Sequence, residues 1–113
     1  MSKDVPVYRV VKTAVVDILG EPVGDPAAPA TLVSLIKAVL QSVPPAHMVE
    51  YLRFGKEIAD AISLGGPKTE LRLSREAHAW LVDVVEKEKP FRLAAIHEAF
   101  VRTMNEYEEH TNG

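Results

Sequence analysis

The four histidines are the side chains of this chain best suited to acid–base chemistry or metal binding. His47 and Glu50 are three residues apart and could share a helix face, and His97 directly precedes Glu98. A zincin needs two histidines four residues apart on a helix, and a di-iron bundle needs Glu-x-x-His twice. Neither spacing occurs. We therefore expect surface or hydrogen-bonded histidines, with no metal site and no cofactor.

The sequence contains no recognisable motif for nucleophilic catalysis. The chain has no cysteine and no Gly-x-Ser-x-Gly elbow, and its carboxylates are scattered over helix exteriors. Gly65-Gly66-Pro67 marks a turn before a strand, not a glycine-rich loop that opens a helix and holds phosphate. We expect no enzymatic activity. The enzyme alternative would require a polar pocket that gathers His47, His78 or His97 with carboxylates.

The net charge of −3 limits the class of partner. Residues 74–113 hold five Lys/Arg and eight Asp/Glu, whereas residues 1–73 hold eight of each. An acidic surface repels phosphates, so we expect neither nucleic-acid nor membrane binding. The segment 1–6 lacks the charged start and apolar middle of a signal peptide. We expect a cytoplasmic protein of one domain, residues 1–113, with frayed ends at 1–4 and 109–113.

The elements that would position these side chains are mainly helices. Apolar residues at helical spacing predict helices from Thr31 to Val43, from Ala46 to Ile62, from Ser74 to Lys89 and from Phe91 to Tyr107. Thr31 and Ser74 are suited to N-caps. Pro44-Pro45 separates the first two helices, and so short a break predicts an antiparallel hairpin. Gly55 inside the second helix predicts close approach of another element's backbone.

Two segments are predicted to be extended. Thr69 to Leu73 alternates in polarity, so Leu71 and Leu73 face one way while Glu70 and Arg72 face the other. The valine-rich segment Val5 to Leu19 favours extended structure, although a helix also fits its pattern. Gly20-Glu-Pro is a turn signal. We predict a mostly helical α+β fold, with about four helices packed on a small sheet of two or three short strands.

The aromatic residues near helix ends are candidates for a protein interface. Interfaces concentrate aromatic side chains and arginine. The candidate interface residues are Trp80, Phe91, Arg92 and Tyr107. Trp80 lies at the edge of its helix's apolar face, so a position at the edge of the core competes with this interpretation.

The order strand, helix, helix also resembles a subunit of the ribbon-helix-helix repressors. Leu71-Arg-Leu-Ser-Arg-Glu76 is similar to the strand and first helical turn of that family, and residues 92–100 could form its second helix. The resemblance implies a dimer whose strand pairs with its own copy and reads DNA through Glu70 and Arg72. The negative charge and the Lys89-Pro90 break depart from the family pattern. This DNA-binding regulator is the alternative function.

Residues 14–107 resemble a group of small proteins of tailed phages and prophages whose role is not known. The shared pattern is Val15-Val-Asp-Ile-Leu-Gly-Glu-Pro22, then Leu32-x-x-Leu-Ile-x-x-x-Leu40, then the spacing of Tyr51 to Ile62, then Leu71-x-Leu-Ser-x-Glu76. The charged C-terminal tail departs from it. The resemblance implies a small accessory or assembly protein and no catalytic residue. We expect it to act by protein–protein contacts, as a homo-oligomer or with another protein.

Overall fold

The computed structural model describes residues 4–10, 13–63 and 70–111. The described helices are α1 (Leu32–Gln41), α2 (Met48–Ser63), α3 (Arg75–Glu88) and α4 (Ala94–Met104). The described strands are β1 (Asp4–Arg9), β2 (Gly24–Asp25), β3 (Ala28–Pro29), β4 (Glu70–Arg72) and β5 (Tyr107–Thr111). The predicted fold class, α+β and mostly α with a small sheet, is confirmed.

β1 is the centre of a three-stranded antiparallel sheet of order β4-β1-β5. Tyr8 of β1 pairs with Leu71 of β4 and with Tyr107 of β5. Of the segment predicted to be extended, Val5 to Leu19, the part up to Arg9 is a strand and Val16 forms a single bridge with Pro22. Residues 11–12 lie outside the described residues, and the described part of the segment contains no helix, so the helical alternative is wrong there. The predicted strand from Thr69 to Leu73 is β4, and Thr69 lies outside the described residues.

The C-terminal segment differs from its prediction. α4 ends at Met104, so Tyr107 does not continue the helical stripe and instead begins β5. Residues 109–111, which we expected to fray, are the end of that strand, and Asp4 is the start of β1. Residues 24–30 contain the two-stranded β2–β3 hairpin.

The core lies between the helices and the sheet, and α3 contacts β1, α2 and α4. Its largest fully buried side chains come from both kinds of element: Tyr8, Leu32, Ile36, Ile58, Leu71, Leu73, Leu81, Phe100 and Met104. Both predicted caps are present. The Thr31 hydroxyl accepts from the Ser34 N–H, and the Ser74 hydroxyl accepts from the Ala77 N–H. These bonds satisfy N–H groups that the first helical turn leaves free.

α1 and α2 do not form the predicted antiparallel hairpin. The two helices meet at a bend of 99°. Pro44 is extended (ψ 158°) and Pro45 begins a short 3-10 turn, which sets the second helix off in a new direction. Among the described residues, no single helix has the length and apolar composition needed to cross a membrane. Only α1 and the segment formed by the 3-10 turn and α2, taken together as a bent pair, have that length and composition.

Gly55 of α2 is buried for a different reason from the predicted one. A Cβ at this position would meet the ring of Tyr51 at 3.7 Å, so the neighbour is a side chain of the same helix and not the backbone of another element. The ring of Tyr51, one turn earlier, covers the glycine. The face of α2 that holds these two residues is only partly turned towards the core.

Candidate interaction surfaces

Ile18 and Leu19 form an exposed apolar tip on a structured turn. Each side chain is 79% exposed. The Asp17 carboxylate accepts hydrogen bonds from the backbone N–H of Leu19 (2.8 Å) and of Glu21 (3.0 Å). Gly20 closes the turn at φ 80°, a left-handed conformation that glycine adopts without strain. The two largest exposed aliphatic side chains of this region are therefore presented by a fixed backbone.

A groove lies between this tip and the first turns of α4. Asp17, Ile18 and Leu19 line one side and Ala94, Ala95 and Glu98 line the other, around a cavity of about 450 Å³. Ala94 and Ala95 form the floor of the groove, and because their side chains are small, the groove stays open. Both residues are exposed. The neighbouring Leu93 side chain is also exposed. We call the tip and this groove together the turn–α4 surface.

Arg102 ties the turn to α4 and neutralises the rim of the groove. Its guanidinium donates to the Val16 carbonyl at 2.7 Å and to both carboxylate oxygens of Glu98 at 2.7 and 3.1 Å. The hydrogen bond from Arg102 lowers the pKa of Glu98. Since the two rim carboxylates, Asp17 and Glu98, already accept bonds within the chain, an apolar partner could cover the groove without stranding a free carboxylate.

A second exposed apolar surface follows the outer side of α2. Met48 is 54% exposed, Val49 76% and Leu52 73%, although a helix of a single folded domain normally turns such residues inward. Beside them, a hollow of about 280 Å³ lies at the α1–α2 bend, lined by Leu40, Gln41, Val43, Pro44, Pro45, Met48 and Tyr51. The inward side of α2 is formed by Ile58, with Phe54 and Ala61 packed against the core beside it.

The four predicted interface residues lie in different surroundings. Trp80 is only 7% exposed and packs against Phe54, with ring centroids 5.9 Å apart, so it belongs to the core and offers little surface. Phe91 is half-buried against Phe100, at 5.4 Å. Tyr107 is half-buried in a group of rings with Tyr8 and His78.

Arg92 is the one predicted interface residue whose side chain is exposed. It lies next to Leu93, directly before the helix whose first residues line the groove. Sequence reasoning missed Ile18, Leu19, Met48 and Leu52. The sequence did contain a sign of the exposure of Ile18 and Leu19. The two residues directly precede the Gly20 turn, and side chains at a tight turn usually point to the surface.

The two predicted DNA-reading residues, Glu70 and Arg72, are exposed on β4. Their side chains contact each other, Arg72 Nη2 to Glu70 Oε2, at 3.4 Å. Glu70, Glu106, Glu108 and Arg9 share a hollow of about 520 Å³, so carboxylates outnumber cations where a phosphate backbone would approach. β4 also pairs with β1 of the same chain, whereas the ribbon-helix-helix alternative predicts pairing of this strand with its own copy.

The described histidines do not converge. His47 Nε2 lies 2.9 Å from Glu88 Oε2, at the C-terminal end of α3. His78 Nε2 lies 2.9 Å from the Met104 carbonyl, in the core. His97 is half-buried on α4, and its Nδ1 has no hydrogen-bond partner among the described residues. Within the described part of the chain, no three His, Asp or Glu residues are arranged to hold a metal ion.

Comparison with protein-family models, with curated proteins and with solved structures finds no match to this chain. The two exposed apolar surfaces are thus the features from which a function can be inferred.

Proposed function

We propose that the protein is a small, non-enzymatic accessory or assembly protein of the phage type that the sequence resemblance implied, located in the cytoplasm, and that it acts by forming a homo-oligomer through the turn–α4 surface. The observation that supports this most directly is the exposure of Ile18 and Leu19, 79% each, on a turn that is held by its own hydrogen bonds.

Exposure of this kind favours association. Single exposed apolar residues are common on monomers, but neighbouring ones that continue into an apolar groove are typical of interaction sites. Full burial of one isoleucine or leucine contributes roughly 1.5 to 3 kcal/mol. Because the turn is already ordered, little conformational entropy opposes this gain on binding. The tip is thus suited to be an anchor residue pair in an interface.

A second copy fits this surface because the tip and the groove lie side by side. Across a two-fold axis, the Ile18–Leu19 tip of each subunit can enter the groove above Ala94 and Ala95 of the other subunit. A single interface then buries the tips and the grooves of both subunits. Charges of opposite sign are available to such a contact, because Asp17 and Glu98 line the groove and the exposed Arg92 lies two residues before Ala94 in the chain.

The test is the mass of the protein in solution as a function of concentration. We expect the wild-type chain, 12.4 kDa, to sediment as an oligomer, and the double variant Ile18→Ser/Leu19→Ser to lose this association with an unchanged circular dichroism spectrum. The matched control is the swap Ile18→Leu/Leu19→Ile, which retains apolar area and should retain association. Ala95→Gln, which fills the groove floor on an exposed helix position, should weaken association in the same way as the serine variant.

Two results would overturn the proposal. One is a wild-type chain that stays monomeric over about a hundredfold range of concentration. The other is an Ile18→Ser/Leu19→Ser variant that associates as tightly as the wild type.

A further inference from the structure

β5 is an edge strand, and no described strand pairs with its outer side. The order of the sheet is β4-β1-β5, so β1 covers one side of β5 and the other side faces outward. An edge strand presents backbone N–H and C=O groups with which another extended chain can pair. β5 has five residues, whereas β4 at the opposite edge has three. β5 is therefore the longer of the two edge strands of the described sheet.

A proline in β1 shows which residues of β1 bond to β5. Pro6 has no N–H, and its C=O accepts a hydrogen bond from the Leu73 N–H at 3.4 Å, so the backbone groups of Pro6 face β4. Successive residues of a paired strand turn these groups to opposite sides. Val5 and Val7 therefore direct their backbone N–H and C=O towards β5.

The register then divides the residues of β5 into two sets. Glu108 and His110 lie opposite the two valines and exchange backbone hydrogen bonds with them. The other three residues turn their N–H and C=O groups away from β1: Tyr107, Glu109 and Thr111. Each of these three can donate one hydrogen bond and accept another. The outer edge thus has the donor and acceptor spacing that an extended chain matches.

The hollow at the start of this edge determines which charge an added chain should carry. Glu70, Glu106 and Glu108 line the hollow of about 520 Å³, together with one arginine, Arg9. Glu106 and Glu108 are exposed, and they flank the first residue of β5. On an antiparallel strand added to this edge, the residue opposite Glu108 forms a non-hydrogen-bonded pair, in which facing side chains lie closest. A lysine or arginine at that position would therefore meet a carboxylate.

The same charges disfavour two other occupants. Phosphate groups would be repelled by the carboxylates of the hollow. A second copy of β5 would bring more negative charge, because the strand Tyr-Glu-Glu-His-Thr carries two glutamates, and like charges on paired strands are destabilising.

We propose that the outer edge of β5 binds an extended, basic segment of a partner protein, which joins the sheet as a fourth strand and places a lysine or arginine beside Glu106 and Glu108. In this kind of recognition, main-chain hydrogen bonds give affinity and side chains at alternate positions give specificity. The interaction goes beyond the proposed self-association and uses a different surface. Its tests are therefore made with the wild type and with Ile18→Ser/Leu19→Ser, so that failure of either proposal leaves the other intact.

The probe is a labelled peptide in which lysine alternates with threonine, and fluorescence anisotropy measures its binding. We expect saturable binding by both proteins, and none of a peptide with glutamate in place of each lysine. With lysine opposite Glu108, the threonine N–H groups face β5 and the lysine N–H groups face away from it. N-methylation of the threonine nitrogens should thus abolish binding, whereas N-methylation of the lysine nitrogens should preserve it.

Two variants test the charge of the hollow. Glu106→Gln/Glu108→Gln should weaken binding of the lysine peptide about tenfold, because two exposed charge pairs are lost. The matched control is Glu50→Gln/Glu86→Gln, which removes the same charge from exposed positions outside the hollow and should bind as the wild type does.

Hydrogen exchange of single amides tests the edge itself. When the peptide binds, the N–H groups of Tyr107, Glu109 and Thr111 should exchange more slowly, whereas those of Glu108 and His110 already bond to β1 and should change little. The proposal is overturned if the lysine peptide shows no binding up to about 1 mM. It is also overturned if the peptide with N-methylated threonines binds as tightly as the unmodified one, because charge attraction alone would then explain the contact.

Discussion

At the scale of single residues, His78 has the most constrained surroundings of the described histidines. Its ring stacks on Tyr8 with centroids 4.8 Å apart and contacts Tyr107 at 4.9 Å. Because a carbonyl can only accept, the 2.9 Å contact with Met104 places the proton of the neutral ring on Nε2. Burial lowers the pKa of His78, and the bond to the Met104 carbonyl opposes this only in part. The folded protein thus favours the neutral imidazole.

This surrounding predicts a loss of stability in mild acid. As the pH falls below the ordinary pKa of 6.5, His78 becomes protonated in the unfolded chain while it stays neutral in the folded chain. The unfolded state therefore binds more protons, and the free energy of unfolding falls as pH falls. Urea unfolding from about pH 7.5 to about pH 5.5 should show this fall in the wild type and a shallower one in His78→Gln, whose amide can still donate to Met104. Equal slopes in both proteins would contradict the assignment to His78.

Glu98 does not contribute to the change in that pH range. The pKa of Glu98 is lowered by its hydrogen bond from Arg102, so its contribution is lost only below its ordinary value of 4.5.

Local chemistry could be predicted from the sequence where it depends on neighbours in the chain. Thr31 and Ser74 cap their helices because the hydroxyl and the N–H that it binds lie three residues apart. Trp80 could not be placed in the same way, since the residue that covers it, Phe54, belongs to another helix. The exposure of Met48 and Leu52 could not be predicted for the same reason. Helical spacing shows which residues share a face of a helix, but it does not show whether another element packs against that face.

At the scale of elements, β5 shows how tertiary pairing overrides local propensity. The sequence Tyr-Glu-Glu-His-Thr has no apolar alternation, and glutamate is disfavoured in strands. The segment is nevertheless a strand, because β1 offers a complete row of backbone partners from Asp4 to Tyr8. No local pattern could have revealed this partner, about a hundred residues away.

Tyr107 anchors this strand, which leads to a second prediction. Tyr107→Ser should lower the free energy of unfolding by roughly 1 to 3 kcal/mol, because it removes the ring that packs on Tyr8 and His78. Tyr107→Phe keeps those ring contacts and should stay near the wild-type value. Chemical denaturation measures both. If the two variants matched the wild type, the segment would be frayed in solution, as its composition first indicated.

At the scale of the whole molecule, the distribution of charge opposes binding to nucleic acid. The net charge is −3, and the hollow beside β4 is lined by Glu70, Glu106 and Glu108 and by one arginine, Arg9. The Arg72 side chain on that strand already contacts Glu70.

The third prediction concerns duplex DNA. Fluorescence anisotropy with a labelled duplex should show no saturable binding by the wild-type chain at physiological salt. The variant Glu70→Lys/Glu106→Lys should gain weak binding that disappears as salt is raised, because it reverses the sign of the hollow. Tight wild-type binding that weakens steeply with salt would instead restore the DNA-binding alternative.

The position of β1 at the centre of the sheet governs how the chain can fold while it is being made. The ribosome synthesises β1 before both of its neighbours, and Tyr8 must wait for Leu71 on one side and for Tyr107 on the other. At the usual rates of translation, the second wait lasts on the order of 5 to 20 s. The nascent β1 has two open edges until β4 is made and one open edge until β5 is made, so its protection from wrong pairing depends on how fast β4 and the helices cover it.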